Sequence, residues 1–211
     1  MSLENIKGTY DTFFSLGDLC VSAIQLRKNN LRPFAGPLDW VGSSSLSNVN
    51  RILQNQFAGF LELQNLRAVT YASDSDLWVF DEIQNIVFNH DFKTDKNTLS
   101  NLATFPEVKE KYNRRIKRFF EKMESSQRIL FIRTEAELEE VLILESILSS
   151  IVKNDFRILI VNHSNVTEMV EKEWSLNRVS IVELPEEGKW DTNDVYWKKI
   201  FEKVYFKEGE I

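Results

Sequence analysis

The run RILFIRTEAELEEVLILESILSSIVKNDFRILIV, from Arg128 to Val161, decides the fold. Its ends, RILFIR (128–133) and RILIV (157–161), are short unbroken apolar runs, as expected of strands covered on both faces. Between them, Thr134 with Glu137 three residues on reads as the capping box of an amphipathic helix. Strand, helix and strand in that order imply a parallel pair joined by a crossover. Downstream, Asn165 and Glu168 make another box-like helix start, RVSIVEL (178–184) is a third strand, and Asp191 opens a final helix through about Tyr205. Upstream, DTFFSL (11–16) is a buried strand broken by Gly17, and Asp18 caps a helix over 19–30. Pro106 suits the first turn of a long helix ending near Ser125. The pattern predicts an α/β three-layer sandwich with a mostly parallel sheet.

Residues 1–211 are expected to form a single α/β domain with an elaboration at about 36–102. That elaboration is an irregular insertion. It starts in the apolar loop RPFAGPLDWV (32–41), continues with a helix from the Ser43–Ser47 break to about Phe57 and a short helix over 58–66, and carries a small hairpin. The hairpin pairs Leu77–Phe80 with Asn85–Phe88 around an Asp81-Glu82 turn.

Hydrophobic residues make up 43% of the 211, including 15 Phe, enough for a core without staples. One cysteine cannot form an internal disulfide, which points to a reducing, cytoplasmic setting. The start of the chain does not read as a signal peptide, and no apolar run reaches membrane-spanning length. With 26 Lys plus Arg against 32 Asp plus Glu the chain is mildly acidic, which argues against nucleic acid as a partner. Two histidines and one cysteine cannot build a common structural zinc site, so no metal is expected. Phosphate-loop and dinucleotide signatures are absent, and no other cofactor is expected. The basic stretch KEKYNRRIKRFFEK (109–122) reads as a solvated helix face, because glutamates are interleaved and Tyr112, Ile116, Phe119 and Phe120 form a core stripe.

Ligands of open parallel sheets bind at the carboxyl ends of the strands. Those ends carry Gly17, Asp18 and Cys20 after the first strand, Arg133 after the second, Asn162 and His163 after the third, and Glu183 in the fourth. Cys20 falls in the first turn of its helix, where free N–H groups and the helix dipole favour a thiolate. A nucleophilic cysteine needs a base, usually histidine, and an orienting group. His163 lies on the inferred ligand edge; His90 follows the hairpin. Arg27 and Arg32 lie beside the Asp39-Trp40 region and suit either an anionic substrate or, as is commoner for such arginines, pairing with nearby carboxylates.

FFSLGDLC (13–20), LRKNNLRPFAGPLDWV (26–41), FNHDF (88–92) and RILFIR together resemble an uncharacterised bacterial family described as papain-like cysteine peptidases. The resemblance implies a Cys-His mechanism with Cys20 as nucleophile and His90 as base. Asp39 and Asp91 are the acidic residues inside the matching motifs. Adjacent residues usually point apart, so Asp39 is the better orienter for His90. Trp40 beside it, after Gly36-Pro37, covers the sheet edge. The resemblance also implies a cysteine on a helix facing a histidine on an antiparallel sheet, whereas the periodicity gives a parallel sheet. The leading expectation is a cysteine-dependent hydrolase or acyl transferase acting on a small-molecule or peptide substrate, with His163 as second choice of base. The alternative is a non-enzymatic domain that binds a sugar or nucleotide-sugar through Arg133, Asn162 and Glu183, with Cys20 as packing.

Overall fold

The computed structural model describes residues 2–207. In chain order the elements are β1 (Gly8–Tyr10), β2 (Thr12–Ser15), α1 (Val21–Lys28), β3 (Val41–Gly42), α2 (Leu46–Gln54), β4 (Leu66–Ser73), β5 (Asp76–Asp81), β6 (Ile86–Phe88), α3 (Phe105–Ser125), β7 (Arg128–Thr134), α4 (Leu138–Ile151), β8 (Asp155–Ser164), β9 (Val170–Lys172), β10 (Val179–Pro185), α5 (Asp194–Ile200) and β11 (Val204–Phe206). The main sheet runs β2-β7-β8-β10-β9, with β2, β7, β8 and β10 parallel. The α/β fold with a mostly parallel sheet is therefore the one its continuous apolar strands imply. One face packs Phe14, Phe131 and Ile158 against α2, α3 and α4. The other packs Phe13, Leu130 and Val182 against α1 and α5.

The insertion between α1 and α3 is more ordered than the expected hairpin. It forms a second, antiparallel sheet in the order β3-β6-β5-β4. The strand β4 was invisible to periodicity because most of its residues are exposed on both faces. Residues 58–66 are turns and one short 3-10 segment rather than a helix. Left-handed backbone at Phe57, Gly59 and Leu61 breaks any helical run there.

Three further expectations shift. After β8 there is no helix at Asn165; β9 instead turns back antiparallel onto the outer edge of β10 and pairs it. The last helix ends at Ile200, because Lys203 adopts a left-handed φ of 61° and Val204–Phe206 leaves to pair with β1. The helix after β7 starts three residues late: Glu137, not Thr134, is the cap, closing its box with Glu140. Thr134 stays in the strand and donates its Oγ1 proton to the Gly17 carbonyl at 3.2 Å. Among the described residues no helix is long and apolar enough to cross a membrane.

Candidate active site

The chain leaves β2 through a turn that two residues hold in the left-handed region, Gly17 at φ 80° and Asp18 at φ 74°. A Cβ on Gly17 would sit 2.7 Å from Ser43 Oγ, so the turn closes tightly on the insertion. Ser43 clasps it: its Oγ accepts the Asp18 N–H at 3.1 Å, and its own N–H donates to the Asp18 carbonyl at 2.7 Å. Arg133, fully buried at the end of β7, donates to the Leu16 carbonyl (3.0 Å), Ser43 Oγ (2.8 Å) and the Ser43 carbonyl (2.6 Å). Burial brings its guanidinium down to about 10, still cationic at neutral pH. Arg133 thus builds the turn and presents no free donor fork to a ligand.

Cys20 is the N-cap residue of α1, with its carbonyl accepting the Ile24 N–H at 2.9 Å. The Gly17 N–H is taken by Ser15 Oγ and the Asp18 N–H by Ser43. Leu19 and Cys20 keep N–H groups without an acceptor among the described residues. The expectation of a lowered thiol pKa is corrected. Burial, followed by the charges of Asp39 and Asp91, pushes the Cys20 thiol up to about 11.

Cys20 and His90 line the same cleft, of about 820 Å³, which also takes in Arg27, Trp40, Trp78 and Trp190. Cys20 reaches it from α1 and the main sheet; His90 reaches it just past β6 of the antiparallel sheet. The cysteine-bearing helix and histidine-bearing antiparallel sheet are both present, on a parallel scaffold. His90 is exposed, and its ring stands edge-on to Trp40 with centroids 6.3 Å apart. Asp39 does not bond His90. Its buried carboxylate accepts from Arg32 Nε at 2.7 Å and from the Gly36 N–H at 2.9 Å. Burial pushes the Asp39 carboxyl up, and Arg32 pulls against it. The Arg32 guanidinium in turn lies 5.2 Å from the Trp40 ring centre. Asp91 points away, as adjacency suggests, and binds Lys111 (2.5 Å) and the Tyr112 hydroxyl (2.8 Å) on α3.

The rest of the carboxyl edge forms a separate recess of about 430 Å³, lined by Glu135, Asn162, His163 and Glu183 among others. Asn162 is occupied in a two-way bond with the Ala136 backbone, at 2.9 Å each way. Glu183 meets Ser164 and Lys172. The His163 side chain is buried, with Nδ1 2.6 Å from Glu135 and Nε2 unpartnered among the described residues. Burial acts to raise the Glu135 carboxyl, but bonds from His163 and Lys189 prevail and hold it at about 2. Lys189 also approaches Asp18 at 3.6 Å. The sequence reading missed Glu135, whose left-handed φ of 53° takes it out of the expected helix. It also missed Tyr71 and Trp78 in the lining of the cleft, because periodicity shows only one small hairpin of the sheet that carries them.

Residues 11–166 match the family model described as "Putative papain-like cysteine peptidase (DUF1796)". The chain belongs to this family. The matched stretch holds Cys20, His90 and His163 and ends before Lys189 and Trp190. The chain is also similar to "Uncharacterized protein R408" of Acanthamoeba polyphaga mimivirus, 30% identical over 217 residues, which cover 89% of this chain and 96% of the viral protein. No solved structure matches the chain. The family description points to a cysteine hydrolase, and Cys20 is the only cysteine in the sequence.

Proposed function

We propose that the protein is a cysteine-dependent hydrolase or acyl transferase in which Cys20 attacks an acyl carbonyl and His90 moves the proton. The observation that carries this reading is that Cys20 and His90 face one cleft from two different sheets. With the thiol held protonated at neutral pH, the mechanism uses general-base activation rather than a resting thiolate–imidazolium pair. The thiol proton passes to His90 as sulfur bonds to the acyl carbon. The oxyanion takes the free N–H groups of Leu19 and Cys20. As the tetrahedral intermediate collapses, His90 returns the proton to the leaving group, giving a thioester on Cys20. His90 then deprotonates water, or an acceptor alcohol or amine, which attacks the thioester, and the returning proton restores the thiol.

Asp39 contributes as a positioning residue at two removes. It fixes Arg32, Arg32 lies over Trp40, and Trp40 abuts His90. Trp40 and His90 meet edge to face, which aligns the imidazole without a carboxylate partner. A panel of fluorogenic amides, esters and thioesters tests the proposal. Cys20→Ala should abolish turnover, and His90→Ala should lower kcat by about 10²–10⁴. Retained turnover in Cys20→Ala rules the proposal out.

A second reading is favoured by the protonated, buried thiol itself: a ligand-binding cleft without turnover, in which Cys20 is packing. Under it, Cys20→Ser leaves ligand binding intact and no compound in the panel is turned over.

A further inference from the structure

The charges around the cleft are not balanced. Asp76 is neutralised by Lys93 at 2.6 Å and accepts a further bond from Ser75 at 2.6 Å. Arg32 is spent on Asp39. Arg27, about two helical turns past Cys20 on α1, lines the cleft and is exposed. Its guanidinium lies 5.8 Å from the Trp40 ring centre and has no carboxylate partner among the described residues. A guanidinium stacked on an aromatic face is held in orientation while its N–H fork stays available, the arrangement that suits a carboxylate or phosphate.

Exposed aromatic side chains supply much of the remaining lining. Tyr71 on β4 is 57% exposed, Trp78 on β5 42% and Trp190 in the loop before α5 52%. Large aromatic side chains left this open on a soluble surface normally mark a contact site, and these three line one cleft. Flat rings and an unpaired cation in one cleft select a ligand with a flat apolar body and an anionic group.

We infer that the cleft takes an acyl compound carrying an anion, carboxylate or phosphate, next to a planar apolar group, with Arg27 as the residue that selects the anion. The acyl part of the ligand rests on the proposed chemistry at Cys20; the binding preference does not depend on turnover. The test therefore uses the Cys20→Ser protein and isothermal titration with three probes: N-acetyl-L-phenylalanine, its neutral amide, and phenyl phosphate. At least one of the two anions should bind about tenfold more tightly than the amide, a difference of about 1.4 kcal/mol. Which anion wins tells carboxylate from phosphate. Arg27→Gln should erase the preference, Arg27→Lys should keep part of it, and Trp78→Ala should weaken acid and amide alike. Arg27 is exposed, so its variants keep the fold, which circular dichroism checks. Equal binding of anions and amide overturns the inference, as does a preference that survives Arg27→Gln. No binding of any probe at about 10 mM overturns it too. Anion selectivity in a protein that turns over nothing would sink the acyl chemistry and leave Arg27's role standing.

Discussion

At the scale of the residue, Cys20 carries the argument, and its protonation is measurable. The folded thiol titrates at about 11 against an ordinary 9, so between those values the folded chain binds more protons than the unfolded one. The thiol's contribution to stability is whole below pH 9 and is lost as pH rises towards 11. Urea midpoints should fall across that window in the wild type and fall less in Cys20→Ala. The buried Tyr10, raised to about 12, adds a further loss above pH 10 in both proteins. At pH 8 iodoacetamide should alkylate Cys20 more slowly in the folded chain than in urea; faster alkylation would show a resting thiolate and contradict general-base activation. Much of this site was legible in the sequence. The position of Cys20 after a strand and Gly17 follows from chain order alone. Pairing of Arg32 with a nearby carboxylate was one of two readings open to it; that Asp39 supplies this carboxylate rather than turning to His90 depends on a loop path that no periodicity describes.

At the scale of the element, the turn between β2 and α1 is where local backbone and distant side chains are most tightly coupled. Ser43 from the insertion and Arg133 from β7 both close on it. Gly17→Ala should cost about 2 kcal/mol, from left-handed backbone alone, before the contact with Ser43 is relieved. Chemical denaturation reads that cost, and the same variant should lower turnover by displacing the Leu19 and Cys20 N–H groups. The four parallel strands of the main sheet were legible as unbroken apolar runs, whereas β9, short and largely exposed, was not. The strand β4 and the left-handed break near Phe57 were not, since one is solvated on both sides and the other depends on tertiary packing. The capping box was displaced because Thr134 stays in β7 and bonds to the Gly17 carbonyl, which leaves Glu137 to cap α4 in a box with Glu140.

At the scale of the whole molecule, the two sheets are joined by aromatic rings. Phe156 and Phe131 lie on the main sheet, Phe119 on α3, Phe57 and Phe60 after α2, and Phe88 on β6, each packed on the next. Phe119 also touches Phe14 and Phe120. Phe119→Ala should cost about 3–5 kcal/mol in urea denaturation, and Phe119→Leu less. Because Cys20 and His90 hang from different sheets, turnover should drop in Phe119→Ala at temperatures where the fold persists. The same arrangement has a consequence for how such a protein can change over generations. The sulfur and its N–H donors belong to one framework, whereas the imidazole, Tyr71 and Trp78 belong to a stretch threaded between α1 and α3. A lineage could vary the strands carrying Tyr71 and Trp78 and acquire a new appetite, so long as Ser43, which clasps the turn before the nucleophile, and His90 stay in place.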